Sequence, residues 1–216
     1  MSDQPTVDEE KRATLRRFAT LGAATPLVGL GGRNQDVEAG TGAGTDTGAS
    51  EVRTAIRGYV ATTPGAHFSK VRDDLKLGTG ETQHHLQRLV DAGIVETRKD
   101  GDYRRYFTAG QFSAFEKVAL GYLRRETARG LLIALLREPT ATGSEIAAGL
   151  DVSRATVSNT AKDLDEAGLL SRTDGYAVRN PETVLTLLVR FADSFGPAAV
   201  TFASEAAALI RFDPTA

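Results

Sequence analysis

The chain has 216 residues, 41% of them hydrophobic and 25% charged, which is enough for one or two packed cores and excludes a wholly disordered polymer. A formal charge of -2 supplies no global attraction to polyanions, so any case for nucleic acid must rest on local charge. The absence of Cys excludes disulfides and thiolate metal sites, and no run approaches the roughly 18 consecutive apolar residues of a membrane-spanning helix.

Residues 1–50 differ in composition from the rest and are expected to form a disordered or loosely helical arm ending in a Gly-rich linker. Lys11, Arg12 and the run Arg16-Arg17-Phe18, followed by Leu21, Leu27, Val28 and Leu30, also resemble a twin-arginine export signal, which is the alternative reading of this segment. Gly40, Gly42 and Gly44 have the spacing of a phosphate loop, but no strand precedes them and no Gly-Lys-Ser/Thr follows, so they read as linker.

Residues 51–110 form a first module. A helix is expected over Glu51–Thr62, ended by Pro64-Gly65, and a short helix capped by Ser69 turns Val71 and Leu75 inward. A third helix follows Leu77-Gly78-Thr79 and runs to Ala92, with Thr82, Leu86 and Leu89 at i, i+4 and i+7 as its buried stripe and Gly93 as its stop. Ile94–Lys99 and Asp102–Thr108 flank Asp100-Gly101, the composition of a β-hairpin turn.

Residues 111–125 carry Phe112, Phe115, Ala119 and Tyr122 on an amphipathic connecting helix. Residues 126–180 then repeat the first module without a gap: Val52–Val95 can be laid on Thr127–Leu170 at an offset of 75. Pro64 falls on Pro139, Leu75 on Leu150, Thr82 on Val157, Leu89 on Leu164 and Ala92-Gly93 on Ala167-Gly168. Here Ser144 and Ser153 are the expected caps, Val157, Ala161 and Leu164 the buried stripe, and Asp174-Gly175 the turn of a shorter hairpin. Residues 181–216 add C-terminal helices that break at Gly196-Pro197 and either cap the second module or form a dimer interface.

Three short helices followed by a hairpin define a winged helix-turn-helix, so the fold class is mainly α with small β-hairpin wings, in two tandem copies. The stretch from Leu77 to Leu89, with Ala92-Gly93-Ile94-Val95 and Arg98-Lys99-Asp100-Gly101, resembles archaeal winged-helix transcription regulators. Leu150–Ser158 with Leu164–Leu169 is similar to the recognition region of the MarR-like and ArsR-like families. The resemblance covers about residues 51–180 and implies a cytoplasmic regulator that binds double-stranded DNA as a homodimer and has no membrane partner.

If the third helix buries Thr82, Leu86 and Leu89, its opposite face presents Gly80, Gln83, His84, Gln87 and Arg88. Gln and Arg make bidentate contacts to adenine and guanine edges. The wing adds Arg98, Lys99, Arg104 and Arg105 as expected phosphate contacts, while the second module offers Arg154, Thr156, Ser158, Asn159 and Lys162. Lys and Arg outnumber Asp and Glu ten to eight over residues 51–110 and are outnumbered six to eight over 126–180, which makes the first module the expected main DNA contact. His84 and His85 are expected to face DNA and to be half-buried, respectively, rather than to bind metal. No catalytic, metal or cofactor constellation is expected, and the competing reading is a winged-helix protein-protein adaptor.

Overall fold

The computed structural model describes residues 7–24 and 45–209, which fall into two compact units, residues 1–111 and 112–216. The Gly40/Gly42/Gly44 tract and the apolar residues Leu27, Val28 and Leu30 lie outside the described residues.

In the first unit, α1 (Val7–Ala24) packs along α2 (Thr45–Thr62). The arm expected to be disordered or loosely helical is therefore, over residues 7–24, a wall of the first core. The reason is local. Leu15, Phe18 and Ala19 stand at i, i+3 and i+4, one apolar stripe that Val52, Ile56 and Tyr59 receive, and the Phe18 ring meets Tyr59 edge-on at 5.2 Å. The second helix likewise starts six residues before the expected Glu51, within the presumed linker.

After Pro64-Gly65 come β1 (Ala66–His67), α3 (Phe68–Asp74) and α4 (Thr79–Asp91), then the hairpin strands β2 (Val95–Asp100) and β3 (Tyr103–Thr108). His67, rather than Ser69, caps α3: pairing of β1 with β3 holds it extended, and its Nδ1 accepts from the Lys70 N–H at 3.3 Å. The three strands form an antiparallel sheet in the order β1-β3-β2. Asp100 pairs with Tyr103, so the two-residue loop is Gly101-Asp102, one position later than expected, with Gly101 at φ 59 as a type II′ turn demands of its first residue.

The second unit begins with α5 (Ala114–Leu123), the expected connecting helix, which packs on helices of this unit. α6 (Glu126–Arg137), α7 (Gly143–Gly149) and α8 (Arg154–Glu166) follow, then the two-residue strands β4 (Leu170–Ser171) and β5 (Ala177–Val178). Thr142, not Ser144, caps α7, because Glu145 three residues on completes a reciprocal capping box with it; Ser153 caps α8 as expected. α9 (Pro181–Arg190), α10 (Ala192–Phe195) and α11 (Pro197–Leu209) bury Val184, Leu187, Leu188, Phe195, Ala199 and Phe202, so these C-terminal helices complete the core of the second unit. Arg124 fixes the seam by donating to the Ser194 carbonyl at 2.6 Å while lying over the Phe195 ring.

The duplication extends to the backbone. Lys76 (φ 53) and Asp151 (φ 52), 75 positions apart, are both left-handed in the turn before the third helix, and Gly93 and Gly168 are left-handed at its end. A non-glycine residue pays roughly 1–2 kcal/mol for that conformation, so a turn that keeps it in both copies is set by the packing of Leu75 and Leu77, and of Leu150 and Val152, on either side.

Candidate nucleic-acid interface

α4 is amphipathic in the manner its spacing predicts. Thr82, Leu86 and Leu89 are buried, with the Thr82 hydroxyl donating to the Gly78 carbonyl at 2.8 Å, while Gly80, Gln83, His84, Gln87 and Arg88 are exposed. Gln87 Nε2 donates to Asp91 at 2.7 Å, which steadies the amide on the outer face. Glu81 turns away from that face. Its carboxylate accepts from the Gly78 N–H at 3.3 Å and from Lys11 Nζ on α1 at 3.1 Å, and Glu10 pairs with Lys76 in the preceding turn. The N-terminal helix thus neutralises the acid at the leading end of α4.

The wing divides by register. Val95↔Thr108, Thr97↔Tyr106 and Lys99↔Arg104 place Thr97, Lys99, Arg104 and Tyr106 on one face; Glu96↔Phe107, Arg98↔Arg105 and Asp100↔Tyr103 occupy the other. The first face looks onto α4 across a cleft of about 330 Å³ lined by Phe68, Gln83, Leu86, Gln87, Arg104 and Tyr106, among others. Arg98 is exposed but shares the face turned away from this cleft.

Arg105 corrects the expectation that all four wing cations reach solvent. Its side chain is 4% exposed, ion-paired to Asp100 and donating from Nη1 to the Gly65 carbonyl at 2.9 Å, with the guanidinium beside the Tyr103 ring. It locks the hairpin to the loop that follows α2. Of the wing cations, Lys99 and Arg104 are the ones that share the cleft face.

His85 is more deeply placed than half-buried, at 7% exposed, and its Nδ1 has no hydrogen-bond partner among the described residues. Burial pulls its pKa below the ordinary histidine value; His84, Arg53 and Arg88 act in the same direction and Glu81 opposes them. Burial also lowers His67, helped by Arg105 and Lys70 and opposed by Asp73 and Asp74. Protonation of His67 would remove the lone pair that caps α3. Both groups are depressed in the folded state, so the unfolded chain takes up their protons first and stability falls as pH drops below about 6.5. Melting curves between pH 7.5 and 5.5 are expected to show this acid-side loss, and His85→Gln is expected to flatten it; an unchanged slope would contradict the assignment to His85.

In the second unit α8 exposes Arg154, Thr156, Ser158, Asn159 and Lys162 opposite buried Val157, Ala161 and Leu164. Thr156 is engaged at the cap through a 2.8 Å contact with Ser153, and Lys162 lies 3.7 Å from Glu166. The wing there has strands of two residues against six in the first unit. Tyr106 is an addition that the sequence did not single out, and Lys11, which the sequence places only in the basic N-terminal run, pairs with Glu81. Tyr106 reads as a core aromatic, and only its i+2 spacing from Arg104 hints at a shared face. Among the described residues no group of three or more His, Cys, Asp or Glu could hold a metal ion, and no helix is long and apolar enough to cross a membrane.

Two units, each with a tight turn before an outward-facing third helix and a hairpin after it, make this a tandem winged helix-turn-helix protein. Comparison with known proteins agrees at the level of each domain. Residues 50–120 match the model of an N-terminal HTH domain, and residues 127–177 match that of the MarR family. The chain is similar to an uncharacterised HTH-type transcriptional regulator of Methanocaldococcus jannaschii, at 27% identity over 130 residues, covering 60% of this chain and 32% of that protein. The chain thus spans about a third of that relative's length. No solved structure matches.

Proposed function

We propose that the protein is a sequence-specific DNA-binding transcription regulator whose first module is the main reader. The observation that carries this reading is the cleft in which Gln83 and Gln87 of α4, with Arg88 exposed on the same helix, stand opposite Arg104 of the wing, whose cross-strand partner Lys99 lies on the same sheet face. The helix supplies groups suited to base edges and the wing supplies cations suited to phosphates. Gly80 allows close approach at the leading end of α4, where a Cβ would meet nothing within 4 Å, and His84 lies on the same exposed side. Arg154, Ser158, Asn159 and Lys162 give the second module a weaker version of the same surface. Pairing of two chains to match two half-sites, and a cytoplasmic location, belong to this reading.

The test is a binding titration on genomic fragments over 50–200 mM salt. Affinity is expected to fall linearly on a log-log plot, and Lys99→Ala and Arg104→Ala are each expected to lower the slope by about 0.9, the value for one phosphate contact. Arg98→Ala is expected to change it less. A protein that leaves duplex DNA unbound at low salt, yet captures another protein through the α4 face, would be an adaptor instead.

A further inference from the structure

The cleft between α4 and the wing has a floor that base reading does not explain. Phe68, Leu86 and Val90 line it with carbon, and Tyr106, a residue only 7% exposed, lines it with them. Among the described residues no group hydrogen-bonds the Tyr106 hydroxyl, and the hydroxyl is not itself a buried orphan, so it opens to the cleft. A phenol hydroxyl placed this way can donate to an acceptor that enters from outside the chain. The register places Arg104 two residues before Tyr106 on the same face, and both side chains line the cleft. Burial raises the phenol's pKa while nearby Arg104 lowers it, and the net shift is upward, so at neutral pH the hydroxyl is protonated and available as a donor.

We propose that Tyr106 and Arg104 together form a seat for one DNA backbone phosphate, with the adjoining deoxyribose resting on Phe68, Leu86 and Val90. The seat rests on the DNA-binding reading and adds to it a residue and a ligand group. The chemistry fits in three respects. A phosphate oxygen accepts from a phenol and from a guanidinium at once; the sugar is the one apolar part of the backbone; and Gln83 and Gln87, which line the same cleft, are within the same segment's reach. Seated this way, a single phosphate fixes the distance between wing and recognition helix on the duplex. Tyr106 is thus a positioning contact, indifferent to sequence.

Tyr106→Phe keeps the ring and removes only the donor. It is expected to weaken binding about 5- to 10-fold on specific and random duplexes alike, with an unchanged melting temperature and an unchanged salt slope, because no counterion is released by a neutral hydroxyl. Arg104→Gln is expected to lower the slope by about 0.9, and in that background Tyr106→Phe is expected to cost less than in the wild type. Methylphosphonate scanning supplies the second measurement: neutralising one particular phosphate should weaken the wild type and erase its advantage over Tyr106→Phe. If the wild type binds DNA and Tyr106→Phe binds equally well, the seat is wrong while the regulator reading stands. A loss confined to one DNA sequence would make Tyr106 a base contact and also overturn it. If the wild type binds no DNA, both fall together.

Discussion

Arg105→Ala is expected to lower the stability of the first unit by about 3 kcal/mol or more, a melting decrease on the order of 15 °C for a domain of this size. The side chain is 4% exposed and its partner Asp100 16%, so the variant strips a largely buried carboxylate of its cation and removes the donor to the Gly65 carbonyl at 2.9 Å. Domain stabilities of roughly 5–15 kcal/mol leave little margin for such a loss. Arg98→Ala, on the same face but exposed, is expected to stay within about 0.5 kcal/mol of the wild type. Thermal unfolding followed by circular dichroism separates the two. An Arg105→Ala variant that melts within a few degrees of the wild type would show that the ion pair and the Gly65 contact are dispensable. Any fall in DNA affinity for this variant should track the unfolded fraction, unlike that of Arg104→Ala.

The triple change Gln83→Ala, Gln87→Ala, Arg88→Ala is expected to act on recognition with little effect on folding, since all three side chains are exposed. Each bidentate base contact discriminates by about 1–3 kcal/mol, so losing this set should reduce the preference for the best site over random DNA by roughly two orders of magnitude or more. Lys99 and Arg104 remain, and non-specific affinity should persist with nearly its full salt dependence. The measurement is the ratio of dissociation constants on a site selected in vitro and on a scrambled duplex. An equal loss on both would mean that α4 contributes charge and contact without reading bases.

The spacing of buried residues was enough to read α4 and α8, because Thr82-Leu86-Leu89 and Val157-Ala161-Leu164 impose a helical period that no other element accommodates. The internal offset of 75 did the same for the architecture, and the matching left-handed turns at Lys76 and Asp151 are its physical counterpart. The caps of α3 and α7 were less legible, since several polar residues compete locally and tertiary pairing chooses among them. The buried role of Arg105 is not legible in the sequence, for a clear reason. Four cations in one hairpin look alike in sequence, and only the register, with Asp100 and Gly65 brought in from the turn and from β1's approach, distinguishes the structural one from the three exposed ones. Tyr106 is hidden for the converse reason, as an aromatic in a strand is ordinarily core.

The N-terminal helix changes what counts as the first domain. The matched family model begins at residue 50, yet Leu15 and Phe18 close the core beside Val52 and Tyr59, and Lys11 balances Glu81 at the N-terminal end of α4. Burying one leucine is worth about 1.5–3 kcal/mol, so a polypeptide trimmed to the family boundary would open an apolar seam and leave Glu81 without its Lys11 partner. Arg16 and Arg17 are borne on this same helix. Changes made in that helix would therefore be felt at the N-terminal end of α4 as well as in the core.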